Sequence, residues 1–168
     1  MGRMTKATAL NATAIGTNAV ASDEDTIAIG TDSIASHEHA ISIGKAAAAQ
    51  NSDSLAAGTS ATANGSSSVA SGNGTLTSAR NTVAIGNGSQ AIGKSGVAIG
   101  DGATAGSESS NYLYGNIAIG TGASSAGGIA IGDNTKAADY SLAAGLYSEA
   151  GNRAAAVGYS NHATGGFS

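Results

Sequence analysis

One short phrase ending in glycine recurs along the whole chain at a nearly fixed interval. The phrase is clearest as I-A-I-G at residues 27–30, 117–120 and 129–132, and its first seven closing glycines are spaced by 14 residues without exception. A fixed period of this size is typical of a stacked repeat, in which one unit cannot bury its apolar face alone. The sequence therefore predicts a solenoid, whose coils close at Gly16, Gly30, Gly44, Gly58, Gly72, Gly86, Gly100, Gly120, Gly132, Gly145 and Gly158.

The residues before each closing glycine alternate between large and small. This is the period of a β-strand, because successive strand side chains point to opposite faces. A helix would need apolar residues three and four apart. We expect the aliphatic residues of each phrase to fill the interior of the coil. The predicted roll core consists of Ile27, Ile29, Ile41, Ile43, Val83, Ile85, Val97, Ile99, Ile117 and Ile119.

A second, weaker alternation follows each glycine. Small residues stand three and five positions after it, as Ala19 and Ala21 do after Gly16. This pattern predicts a second short strand in every coil, followed by a variable and solvent-facing turn. The closing glycine itself is expected to adopt a positive φ angle at a corner, which a residue with a Cβ adopts poorly.

The alanine between the two aliphatic residues is expected to face outward. A coil with few aliphatic side chains buries little surface against its backbone entropy, so we expect association to supply part of the stability. A strip of alanine along a solenoid is a flat apolar face that permits close approach of a second copy. We therefore hypothesise that the oligomer interface is formed by Ala14, Ala28, Ala84, Ala98, Ala118 and Ala130.

Composition excludes several function classes. The chain has no cysteine, so disulfides and thiolate metal sites are excluded. Its formal net charge of −4 offers no basic stripe for nucleic acid. No apolar run is long enough to span a membrane, and no nucleophile motif of a hydrolase is present. The clusters His37-Glu38-His39 and Asp23-Glu24-Asp25 fall in variable turns, where solvated side chains are expected rather than a metal site. We predict no catalytic site, no cofactor and no metal.

The unit G-x-x-A-x-A, a variable turn and then [ST]-[VI]-A-I-G, as in residues 16–30 and 86–100, resembles the head-domain repeat of YadA-type trimeric autotransporter adhesins. The resemblance implies an all-β fold, a single-stranded left-handed parallel β-roll of about eleven 14-residue coils, assembled as a homotrimer. It also implies display on the outer membrane of a Gram-negative bacterium and attachment to host cells or to matrix proteins such as collagen, fibronectin and laminin. Neck, stalk and membrane-anchor motifs have no counterpart here.

The domain prediction is one β-roll over residues 7–168, preceded by an added start or partial coil at 1–6. The ten residues after Gly158 leave the last coil incomplete, so we expect a piece of a longer protein. An insertion near residues 106–116 lengthens one unit by six residues, whereas the units that close at Gly132, Gly145 and Gly158 have only 12 or 13 residues and are expected to have shortened turns. Tyrosine supplies large contact area at low entropy cost, so Tyr112, Leu113 and Tyr114 are candidate ligand contacts. The alternative is a tolerated insertion whose side chains pack back on the roll, because loops accept added length easily.

Other function classes stay open at this stage. Ice-binding solenoids rely on a regular threonine ladder, but Lys45, Asn73 and Asp101 interrupt the file to which Thr31 and Thr59 belong. A thermal-hysteresis assay separates this class from an adhesin. A purely structural solenoid and a phage fibre segment share the architecture. Left-handed β-helix acyltransferases have a six-residue repeat that the units here do not follow.

Overall fold

The described residues form a parallel β-solenoid of about eleven turns. The structure, a computed structural model, describes residues 2–106 and 115–165, and these contain strands but no helix. The predicted two strands per coil are confirmed. In chain order the strands are β1 (Lys6–Ala7), β2 (Thr13–Ile15), β3 (Val20–Ala21), β4 (Ile27–Ile29), β5 (Ile34–Ala35), β6 (Ile41–Ile43), β7 (Ala48–Ala49), β8 (Leu55–Ala57), β9 (Thr62–Ala63), β10 (Val69–Ser71), β11 (Leu76–Thr77), β12 (Val83–Ile85), β13 (Gln90–Ala91), β14 (Val97–Ile99), β15 (Thr104–Ala105), β16 (Ile117–Ile119), β17 (Ser124–Ser125), β18 (Ile129–Ile131), β19 (Lys136–Ala137), β20 (Leu142–Ala144), β21 (Glu149–Ala150), β22 (Ala155–Val157) and β23 (His162–Ala163).

The strands build two parallel sheets that form the walls of the roll. The odd-numbered strands make a 12-stranded sheet and the even-numbered strands an 11-stranded sheet, each in chain order. Every strand pairs with the strand one coil away in an unshifted register, so that Val83, Ala84 and Ile85 lie beside Val97, Ala98 and Ile99. Equivalent positions of successive coils are therefore stacked in straight columns.

The interior of the roll is lined by small residues, which reverses the predicted assignment of the two faces. The expectation that aliphatic residues form the roll core is wrong, because on the outside of the even-numbered sheet lie the partly or largely exposed Ile27, Ile29, Ile41, Ile43, Val83, Ile85, Val97, Ile99, Ile117 and Ile119. The alanines predicted as an oligomer interface are instead inside a single chain. Fully buried are Ala28, Ala84, Ala98, Ala118 and Ala130, and the partly buried Ala14 packs against the same interior.

The physical reason is the narrow gap between the walls. The Ser68 hydroxyl lies 2.8 Å from that of Thr77 across the interior, and the Ser42 hydroxyl donates to the Ala47 carbonyl at 2.8 Å. Side chains no larger than serine and threonine thus already meet, so an isoleucine in these columns would overpack the interior. Among the described residues, the buried positions hold alanine, glycine, serine, threonine and Asn116, and no charged side chain.

Buried hydroxyls are satisfied within their own turns. The Thr26 hydroxyl donates to the Asp23 carbonyl at 2.6 Å, and the Thr82 hydroxyl donates to the Ala79 carbonyl at 2.8 Å. Such local bonds remove the penalty of burying a polar group. Ser33 is an exception in the described part of the chain, because its buried hydroxyl has no partner there.

The closing glycines lie at a corner where any residue with a Cβ would force the neighbouring backbone to move. Their φ angles are positive as predicted, for example +135° at Gly58. A Cβ built on Gly58 would lie less than 3.0 Å from the carbonyl oxygen of Gly72 in the next coil. Backbone conformation and backbone proximity therefore both require glycine at this position.

The irregular units keep the ladder intact. Across the insertion, Val97 pairs with Ile117 in the same register as elsewhere. The predicted shortening of turns in the last units is confirmed and is confined to one corner. Only residues 126–128 separate β17 from β18, where residues 22–26 separate β3 from β4.

Candidate association and binding surfaces

A largely aliphatic surface covers the outside of the even-numbered sheet, with Thr13, Ala57 and Ser71 among its small or polar members. We call it the aliphatic face, and it consists of the first and third residues of the even-numbered strands. Ile43 and Ile131 are each 43% exposed, and Ile85 is 41% exposed. With strands about 4.8 Å apart and columns about 7 Å apart, the face measures roughly 48 Å by 10 Å. A contiguous patch of roughly 500 Å² is near the upper end for monomeric proteins and marks an interaction site.

The outside of the odd-numbered sheet has a different character. Its single outward column, which we call the outer file, is largely apolar from Val20 to Leu76 and polar from Gln90 onward. The file consists of Lys6, Val20, Ile34, Ala48, Thr62, Leu76, Gln90, Thr104, Ser124, Lys136, Glu149 and His162. Because the column is not lined by one residue type from end to end, this surface suits a specific contact rather than self-stacking.

An acidic corner brings one histidine among three carboxylates. His39 Nδ1 lies 3.1 Å from Asp53 Oδ1, and His39 Nε2 lies 3.7 Å from Glu38 Oε1 and 3.9 Å from Asp25 Oδ2. The hydrogen bond to Asp53 raises the pKa of His39 above its ordinary value of 6.5, and the nearby carboxylates raise it further while desolvation opposes them. The side chains are about half exposed, so the interaction is screened by solvent.

The side chains of this acidic corner are not arranged as a metal centre. In residues 2–106 and 115–165, no group of three or more His, Cys, Asp and Glu side chains could hold a metal ion. Tyr112, Leu113 and Tyr114, the candidate ligand contacts, lie outside the described residues. The described part of the chain also contains no helical segment that could serve as a membrane span.

The sequence of this chain matches the model of a known protein family. The sequence model of the YadA head domain repeat matches residues 7–33, 24–47, 49–75, 78–103 and 91–110, which together cover more than half of the chain. The chain belongs to the YadA head family. A comparison with individual curated proteins gave no match. YadA heads are surface-exposed, non-enzymatic parts of autotransporter adhesins, so adhesin-type function is the class to which this chain is assigned.

The YadA head coil continues beyond the matched repeats. Strands β16 to β23 extend the same two sheets to Ala163, although the last matched residue is 110. This segment carries exposed tyrosines that the sequence analysis missed: Tyr140, Tyr147 and Tyr159 are 70%, 54% and 73% exposed. The available signal was positional, because Tyr147 stands two residues after a closing glycine, where Asn18 and Asn134 stand in other coils.

Proposed function

We propose that this chain is the head of a trimeric autotransporter adhesin and attaches bacteria to host cells or to extracellular matrix proteins without catalysis. The observation that carries the proposal is the aliphatic face on a YadA head roll. An apolar surface along the full length of a rod needs an equally long partner, and a second copy of the same rod is such a partner. The proposed site of action is the bacterial cell surface, at the outer membrane.

Three copies around a common axis would bury all three aliphatic faces together. The outer file and the variable turns would then remain at the surface of the trimer. Three identical binding surfaces raise avidity without strong individual contacts. The ligand contacts are therefore proposed on these outward surfaces, with Tyr112, Leu113 and Tyr114 among the candidates.

The outer file gives an ice-binding function little support. Thr62 and Thr104 are its threonines, and three coils separate them. A regular threonine ladder on a flat sheet is absent from this column. A structural protein or a phage fibre segment would share the trimeric rod but would not bind the host cells or matrix proteins that an adhesin binds.

The test combines sedimentation with a binding panel. The wild-type chain is expected to sediment as a trimer and to bind immobilised collagen, fibronectin or laminin. A variant with Tyr112, Leu113 and Tyr114 all changed to alanine tests the proposed contact at the insertion, and Lys136→Ala tests the outer file. A stable folded monomer at micromolar concentration would overturn the trimer. A trimer that binds no matrix protein and no host cell would overturn the adhesive role.

A further inference from the structure

The corner before the last aliphatic strands contains a hollow. It has a volume of about 520 Å³, and its described lining includes Gly115 at the end of the insertion together with Gly127, Gly128, Ile129, Leu142 and Arg153. Its origin is the 12-residue unit ending at Gly132, whose short corner places two glycines where other coils carry side chains. The hollow is open to solvent on one side, and its volume accommodates an aromatic side chain.

A cation and an aromatic ring lie at the rim of this hollow. The Arg153 guanidinium carbon is 5.9 Å from the centroid of the Tyr140 ring, and both residues line the hollow. The floor is aliphatic. An aromatic side chain that enters would contact Ile129 and Leu142 and could stack on the guanidinium plane, which is the environment that arginine and tyrosine favour in interfaces.

The opposite edge of the same strands carries a protruding aromatic ridge. Tyr147 follows β20 and Tyr159 follows β22, and their rings meet edge to face with centroids 6.4 Å apart and planes at 82°. Both rings are more than half exposed. The hollow and the ridge thus flank the aliphatic face from its two sides, at the level of the same two strands.

At the level of these last strands, the side chains of the aliphatic face become smaller. Ile129 and Ile131 of β18 are followed in register by Leu142 and Ala144 of β20, and then by Ala155 and Val157 of β22. Smaller side chains at the centre of an interface reduce the apolar area that association can bury. The columns are also small at Ala57 of β8 and Ser71 of β10, but in the last coils aromatic groups stand at the rims of the narrowed face.

We propose that the Tyr147–Tyr159 ridge of one copy inserts into the hollow beside Tyr140 and Arg153 of the next copy. This inference rests on the proposed trimer. A three-fold rotation makes heterologous contacts, in which one edge of each chain meets the opposite edge of its neighbour. The ridge edge of the aliphatic face therefore meets the hollow edge of the adjacent copy, three times around the axis. We call this contact between the ridge and the hollow the clasp. In the last coils it supplies contact area that the smaller side chains of the aliphatic face do not.

Cysteine cross-linking tests the clasp, because the natural chain has no cysteine. In the double variant Tyr140→Cys with Tyr147→Cys, mild oxidation is expected to give covalent dimers and trimers on a non-reducing gel. A bond within one chain is excluded, because the three residues of β20 between the two positions span about 10 Å, beyond the reach of a disulfide. The control pair Gln90→Cys with Lys136→Cys, both on the outer file, should stay monomeric on the gel.

A tryptophan reporter provides a second measurement, because the chain has no tryptophan. Tyr159→Trp should emit at shorter wavelength than Lys136→Trp, since the first indole enters the hollow and the second stays in water. Adding Arg153→Ala to Tyr159→Trp should shift its emission towards that of Lys136→Trp.

The outcomes separate the two proposals. A wild-type monomer in sedimentation would overturn the trimer and the clasp together. A wild-type trimer whose Tyr140→Cys, Tyr147→Cys variant forms no intermolecular bond, or whose Tyr159→Trp emission equals that of Lys136→Trp, would overturn the clasp alone.

Discussion

Two neighbouring residues of β12 offer a direct test of which side chains are inside the roll. Ala84 is fully buried, whereas Ile85 is 41% exposed on the aliphatic face. The same substitution, Ala84→Glu or Ile85→Glu, therefore places a carboxylate in the interior or on the outside of one chain. Gln90→Glu on the outer file is the control, because it introduces the same group at an exposed position one strand later.

Ala84→Glu should prevent folding, whereas Ile85→Glu should weaken association of folded chains. An unpaired carboxylate in the interior costs several kcal/mol, and overpacking adds about 1–3 kcal/mol. Against a total stability of about 5–15 kcal/mol, Ala84→Glu should leave the chain largely unfolded. Full burial of an isoleucine is worth about 1.5–3 kcal/mol, so burying the exposed four tenths of Ile85 contributes about 0.6–1.2 kcal/mol per chain.

Three copies of Ile85→Glu would thus cost the proposed trimer about 2–4 kcal/mol, a fall of about 30- to 700-fold in its association constant. Circular dichroism should still report a folded roll, while sedimentation velocity reports monomers at low concentration. Gln90→Glu should change neither measurement. Ala84→Glu with a wild-type melting temperature would refute the alanine interior. Ile85→Glu with undiminished association would refute the aliphatic face as the interface.

Four further substitutions test local features. Gly58→Ala should lower the melting temperature sharply, because its Cβ would meet the Gly72 carbonyl, whereas Gly74→Asn should be nearly neutral, since its φ of +61° suits asparagine. Ser33→Ala should stabilise the chain by about 1 kcal/mol in denaturant unfolding, since it removes a buried hydroxyl without a partner; an unchanged midpoint would contradict this. His39→Gln should lower the melting temperature more at about pH 5 than at about pH 8. The raised pKa of His39 stabilises the folded chain at pH values below 6.5, and this stabilisation is lost as the pH rises through the pKa of the folded state. An equal loss of melting temperature at both pH values would refute the ion pairing.

The fold could be predicted because its main features are local and repeated. A 14-residue period, a two-residue alternation and one glycine per unit specify the number of coils, the strand positions and the corner conformation. The position of the shortened turns followed from the same spacing. None of these inferences required knowledge of how far apart the two walls lie.

The inside and the outside could not be assigned from alternation alone. A period of two separates the faces of a strand but does not say which face is inside, and the rule that large aliphatic residues are buried favoured the wrong one. The other strand assigns only its own faces. Gln90, Lys136 and Glu149 occupy the outer file, so the small residues beside them must face inward. Which side of the even-numbered strands faces inward depends on the distance between the two walls, which alternation does not give.

The C-terminal tyrosines were missed for a related reason. Attention to the insertion placed the candidate contacts at Tyr112 and Tyr114, because a long loop is the usual place for a binding residue. Tyr147 and Tyr159 lie at regular corner positions instead, and nothing in the repeat marks such corners as functional. Their proximity to one another, and the hollow on the other edge, depend on the stacking of coils in three dimensions.

The placement of small residues inside and large ones outside links folding to association. Alanine methyl groups bury little apolar area, so each coil gains less from its own interior than a coil filled with isoleucine would. The larger aliphatic groups contribute fully only when another copy covers them. In the proposed trimer the melting temperature therefore rises with protein concentration, because association stabilises the folded chain by mass action. The proposed clasp acts at the end of the rod: β20 and β22 carry smaller side chains on the aliphatic face and have few further coils beyond them, so without an added contact the last coils would be the first to separate.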